Sequence, residues 1–180
     1  MYELSLFVLD LAQNALTARA TLVRIRLVES RSRNRLAIVV ADNGCGMTAD
    51  ICARASSPFM TTKTSRRKPV GLGLPLFKQL VESCAGTFRI RSQPGRGTIV
   101  AGSYPLDHLD QPPMGDLVGT LFALVAGNPA VDFVVTRRTD EGSRVFDSRL
   151  ARRELGPDAQ TLWQTQSVQD WFEREIEELR

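Results

Sequence analysis

Asp10 and Asn14 stand four residues apart in the run Asp10-Leu11-Ala12-Gln13-Asn14-Ala15. On a helix, that spacing sets a carboxylate and a carboxamide side by side on one face. A carboxamide oxygen can complete a Mg²⁺ shell otherwise made of phosphate and water. A neighbouring carboxylate can orient or deprotonate an attacking water. Taken alone, the pair is also ordinary polar helix surface. A second constellation is Asp42-x-Gly44-x-Gly46. Glycines let a flat ring approach the backbone, and the carboxylate suits an exocyclic amine such as that of adenine. The same residues also make a tight turn closed by the aspartate side chain.

Two further glycine pairs follow. Gly71-Leu72-Gly73-Leu74 frees backbone N–H groups to surround a phosphate where a helix start adds partial positive charge. Lys63, Arg66, Arg67 and Lys68 come just before it. They could cap a triphosphate as part of a lid, or form a solvated charge run. Gly95-Arg96-Gly97-Thr98 reads as a turn whose glycines take positive φ, with the Thr98 hydroxyl reaching toward the phosphate end of a ligand.

The elements that must position these residues follow from apolar spacing. Leu4, Phe7, Val8, Leu11, Ala12, Ala15 and Ala18 recur three and four apart, which predicts an amphipathic helix over 4–19. Val23, Ile25 and Leu27 alternate with Arg24 and Arg26 as in a half-buried strand. After a polar turn at 30–34, the apolar run 36–41 reads as a strand buried on both sides. Residues 48–69 read as a long loop with one short helix inside, and 74–83 as a second amphipathic helix terminated by Gly86. Strands over 88–90 and 98–104 flank the turn at 94–97. The order predicts a two-layer α/β (α+β) sandwich, with a mixed β-sheet carrying helices on one face.

Pro105, Pro112 and Pro113 mark a joint. Beyond it the sequence predicts a helix near 115–126, a hairpin from 131–135 and 144–148, and a final helix. In that helix Val168, Trp171, Phe172, Ile176 and Leu179 form an apolar stripe opposite Glu173, Arg174, Glu177 and Glu178. The division expected is therefore 1–104 and a C-terminal α/β extension over 105–180, docking back on the sheet through Trp163 and Trp171 rather than leaving them in water.

Composition sets the class. With 180 residues, 43% hydrophobic and 24% charged, the chain is neither a disordered polymer nor a collagen-like repeat. Cys45, Cys52 and Cys84 form no C-x-x-C pair and lie far from the single His108. A zinc site is not expected, and three reduced thiols point to the cytosol. There is no basic N-terminal leader and no run of roughly 18 apolar residues, so a cytoplasmic protein without membrane contact is expected. Charge is uneven: residues 1–104 hold fifteen Lys and Arg against six Asp and Glu, and residues 105–180 hold eight against fourteen. The basic front half points to an anionic ligand.

In their order these features resemble the GHKL superfamily of gyrase B, heat-shock chaperones, histidine kinases and MutL. Asp10-x-x-x-Asn14-Ala15 looks like its N box, Asp42-x-Gly44-x-Gly46 its G1 box, and Gly71-Leu72-Gly73-Leu74 its G2 box. Pro58-Phe59-Met60-Thr61-Thr62-Lys63 is similar to the lid-proximal P-F-x-T-T-K of histidine kinases, and Gly95 to Thr98 to their last glycine box. Over residues 1–104 the resemblance implies the Bergerat fold, binding ATP with Mg²⁺. It assigns Asp42 to the adenine amine, Asn14 to Mg²⁺, and Asp10 and Lys63 to catalysis. Ala18, Gly44, Gly46, Met47, Phe59, Thr62, Gly71, Leu72, Gly73, Leu74 and Thr98 join the nucleotide-binding set. Hydrolytic members place Glu where this chain has Asp10. A shorter reach there predicts slow turnover, since a misplacement of about 1 Å can cost roughly a hundredfold in rate.

The resemblance implies phosphoryl transfer to, or ATP-dependent regulation of, a protein partner. The chain starts within its N-box helix, so a stand-alone ATP module is expected, and a homodimer is compatible with it. The alternatives are an ATP-driven binding switch without catalysis and a gyrase- or MutL-like role on nucleic acid. His108 has a faint likeness to a phosphoacceptor segment but sits on the far side of the ATP domain, and reads as an exposed loop residue.

Overall fold

The structure is a computed structural model that describes residues 3–55 and 73–155. The segments holding Phe59, Thr62, Lys63, the basic run 66–68, Gly71 and Leu72, and the final stripe together with Trp163, lie outside the described residues. Five helices and six strands are described: α1 Leu4–Thr17, β1 Leu22–Ser30, β2 Arg35–Asp42, α2 Ala49–Ala55, α3 Gly73–Ser83, β3 Thr87–Gln93, β4 Gly97–Tyr104, α4 Leu117–Gly127, β5 Asp132–Arg138, β6 Ser143–Asp147 and α5 Ser148–Leu155.

The strands make one mixed sheet in the order β3-β4-β2-β1-β5-β6. Every pair is antiparallel except β1 with β5, which run parallel from Leu22 opposite Asp132 to Val28 opposite Arg138. A parallel pair needs a crossover, and residues 105–131 with α4 supply it. The hairpin expected in 105–180 is therefore built onto the same sheet as residues 1–104.

One face of the sheet carries the core. Val23, Ile25 and Leu27 of β1, Leu36, Ile38 and Val40 of β2, and Phe133 and Val135 of β5 are buried beneath Leu4, Val8 and Leu11 of α1, Phe77 and Val81 of α3, and Leu121 and Leu124 of α4. The first N–H groups of α1 lack partners within the helix. Leu4 and Ser5 donate theirs to the carbonyls of Pro113 and Met114, both at 3.0 Å, so the proline-marked joint caps the helix that carries Asp10 and Asn14.

Three expectations change. The strand at 36–41 is buried on one side only: Leu36, Ile38 and Val40 are buried, while Ala37, Val39 and Ala41 are half-exposed on the uncovered face. The outward residues are apolar but small, so the sequence shows a continuous run where the structure alternates. The left-handed residue closing α3 is Ala85, at φ 53°, rather than Gly86. Finally, the strand expected to reach Ser148 ends at Asp147, and α5 begins at once. Asp147 accepts the Arg149 N–H at 2.9 Å, and the buried Ser148 hydroxyl accepts the Phe133 N–H at 2.9 Å. Among the described residues no helix is long and apolar enough to cross a membrane.

Candidate functional site

Asp42 ends β2 and is half-buried. Its Oδ1 accepts the Gly44 N–H at 2.8 Å, the bond of an aspartate-closed turn. Burial pushes its carboxyl above the ordinary range, opposed by backbone N–H donation from Gly44 and from Thr98, its partner across β4. The loop that follows is stitched to three elements. Asn43 Oδ1 accepts the N–H groups of Thr21 and Leu22 at 2.9 Å each. Cys45 donates to the Ala18 carbonyl at the end of α1 (2.9 Å) and accepts from Gly95 (2.8 Å). Met47 donates its N–H to Ser92 Oγ, also at 2.8 Å.

Two glycines make that stitching feasible. Gly46 takes φ +63°, and a Cβ there would overlap the Gln93 carbonyl oxygen; Gly97 takes φ +101°, and a Cβ would overlap the Asp42 carbonyl oxygen. Both need the left-handed region that glycine enters freely. Gly44 lies so close to Ala18 that an added Cβ would stand 2.8 Å from the alanine's own. The loop thus brings bare backbone up to the Asp42 carboxylate.

On α1, whose end meets this loop at Ala18, Asp10 is exposed and Asn14 half-buried. Neither side chain has a hydrogen-bond partner among the described residues. The start of α3 lies against this pair: a Cβ on Gly73 would come within 2.9 Å of Asp10 Oδ2. The first N–H groups of α3 are therefore beside Asp10, where a helix start attracts negative charge. Partial burial raises the Asp10 carboxyl above its ordinary range. Leu74 is buried in the core, so what it offers a ligand is backbone.

Residues 3–108 match the family described as histidine kinase-, DNA gyrase B-, and HSP90-like ATPase. The chain belongs to this family. Among curated relatives, it is 31% identical over 113 residues to the sensor histidine kinase ZraS of Escherichia coli, covering 63% of this chain and 24% of that protein. It is 33% identical over 117 residues to the non-motile and phage-resistance protein of Caulobacter vibrioides, covering 61% and 14%. The chain thus spans a quarter or less of the length of these relatives. Among solved structures, the N-terminal domain of a DNA repair protein superposes with a TM-score of 0.55 at 16% identity, covering 81% of this chain and 52% of that one. That likeness shows the fold, the α/β sandwich of this ATPase family, and reaches beyond the family match.

Within this ATPase fold, Asp42, Gly44, Gly46, Met47, Ala18 and Thr98 converge at the ends of β2, β4 and α1, and Asp10, Gly73 and Leu74 meet where α1 and α3 touch. Thr98 stands beside Asp42 on the neighbouring strand, its hydroxyl 2.8 Å from Ser92 Oγ. Phe59, Thr62, Lys63, Gly71 and Leu72 lie outside the described residues. Sequence reasoning missed Asn43, whose Asp-Asn-Gly context was the available signal, and Ser92, which had none. Ser92 bonds Met47 N–H, Thr98 Oγ1 and the Gly97 carbonyl, tying both glycine loops together. His108 is half-buried rather than exposed, and its Nδ1 accepts the Asp110 N–H at 3.1 Å.

Proposed function

We propose that this chain binds ATP with Mg²⁺ between α1, the end of β2 and the start of α3, and acts on a protein partner by phosphoryl transfer or ATP-dependent regulation. The observation that carries the reading is Asp42: a half-buried carboxylate with one oxygen held by the Gly44 N–H. Beside it Gly44 brings bare backbone up to the carboxylate. That arrangement suits an exocyclic amine on a flat ring. The bare start of α3 suits phosphates.

Residues present fit the metal as well. Among the described residues no three acidic, His or Cys side chains cluster into a cage. Mg²⁺ bound to a nucleotide needs few protein ligands, because phosphates and water fill most of its shell. Asn14, with its carboxamide uncommitted, would hold it, and the metal would neutralise phosphate charge. Asp10, one turn away with a raised carboxyl affinity for protons, would accept a proton from an attacking hydroxyl or water. Lys63, from the lid-proximal motif, would add positive charge at the transferred phosphoryl group.

The test is calorimetric titration of ATP and Mg²⁺ into wild type and Asp42→Asn. A hydrogen bond to a charged group contributes about 1.5–3 kcal/mol, so the substitution lowers affinity roughly ten- to a hundredfold. Wild type that neither takes up heat nor competes with a fluorescent nucleotide refutes the reading.

A further inference from the structure

Over β3, β4, β2 and β1 the sheet's second face is covered by no described element, and pairing register lays its side chains out in rows. Arg91, Ile99, Ala41 and Arg24 form one row across β3, β4, β2 and β1; Arg89, Ala101, Val39 and Arg26 form the next. Two columns of arginine therefore flank two columns of small apolar residues. All four arginines are exposed, and none has a hydrogen bond or ion pair among the described residues. The columns are three strand spacings apart, about 14 Å. The floor between them is shallow, with Ile99 47% exposed. A trough of this width accepts one helix, whose diameter with side chains is about 10–12 Å.

The carboxylates on this face are already taken. Asp147 pairs with Arg149 at 2.6 Å, and Asp132 pairs with Arg152, both arginines being on α5. These pairs also hold α5 at the β5–β6 border of the face, where the described chain ends. The residues beyond, 156–180, hold six carboxylates against two arginines. They include Val168, Trp171, Phe172, Ile176 and Leu179 at three- and four-residue spacing. From β5 to the middle of the trough is about 12 Å, well within reach of that length. A nucleic acid fits less well, because Phe88, Tyr104, Phe133 and Phe146 all take core-face positions and leave the trough without an aromatic platform for bases.

We propose that the C-terminal segment 156–180 lies across this trough in the same chain. Its apolar side chains rest on the β4–β2 floor and its carboxylates face the arginines of β3 and β1. The inference is independent of the nucleotide site.

Trp163 and Trp171 are the chain's only tryptophans, so fluorescence of the intact protein reports on this segment alone. Expected in wild type is blue-shifted emission, with acrylamide quenching several-fold weaker than in urea. Arg26→Glu/Arg91→Glu shifts emission to the red and restores quenching while the far-ultraviolet circular dichroism of the sheet stays unchanged. Adding Glu173→Arg/Glu177→Arg to that variant recovers part of the blue shift. Water-exposed tryptophans in wild type overturn the proposal, as do buried tryptophans indifferent to the arginine reversal. A blue shift lost on dilution, in step with dimer dissociation, assigns the segment to a second copy and overturns the intramolecular placement.

Discussion

Half-burial of the Asp42 carboxylate costs the folded protein stability at neutral pH. Burial lifts its carboxyl above the ordinary range, as it does for Asp10, so the folded state binds protons more readily than the unfolded chain. Where the folded state holds the extra proton, stability falls as pH rises. The contribution of each group is therefore most favourable below its unfolded value and is lost as pH climbs through the raised one. Asp42→Asn keeps an acceptor for the Gly44 N–H and removes the desolvated charge. Its expected melting temperature at neutral pH equals or exceeds that of wild type, although ATP affinity drops, and thermal melts from pH 4 to 8 check this. What could be read at Asp42 alone was the tight turn that its Oδ1 closes on the Gly44 N–H; a ligand role was suggested only by the order of the motifs around it. Ser92 was not legible, because a small polar residue in an alternating strand looks like any outward-facing position; only the fold reveals that it joins Met47 to Thr98.

Elements are positioned by contacts that their own sequences do not announce. Half of helix α5 is charged, and what fixes its start is Ser148, fully buried with its hydroxyl accepting the Phe133 N–H of β5. Ser148→Ala strands that N–H in the interior and costs about 1–3 kcal/mol. Urea unfolding shows the loss as a lower midpoint at unchanged slope. Strand positions, by contrast, were readable, since β1 alternates clearly and the turn at 94–97 sets off β3 from β4. The uncovered face of β2 was misread for the same reason that makes it interesting: Ala37, Val39 and Ala41 are apolar, yet they face outward among arginines.

At the scale of the whole molecule, the family match ends at residue 108 while the sheet continues to Asp147. Leu121 and Leu124 of α4 and Phe133 and Val135 of β5 belong to the same core as α1 and β1. Burying each such side chain contributes roughly 1.5–3 kcal/mol, against a net stability of about 5–15 kcal/mol for a domain. A chain stopped after residue 108 is expected to melt at lower temperature and to bind a hydrophobic dye, which a thermal scan with that dye measures. The family could be read from the order of the front motifs, but the parallel pairing of β1 with β5 could not, because no local pattern links strands about a hundred residues apart. That separation has a consequence during synthesis. At 5–20 residues per second, the ribosome delivers β5 roughly 5–20 s after β1. Through that interval β1 has an open edge, and α1 has an uncapped start until residues 113–114 are made, so the half that carries the nucleotide motifs emerges first and is completed last.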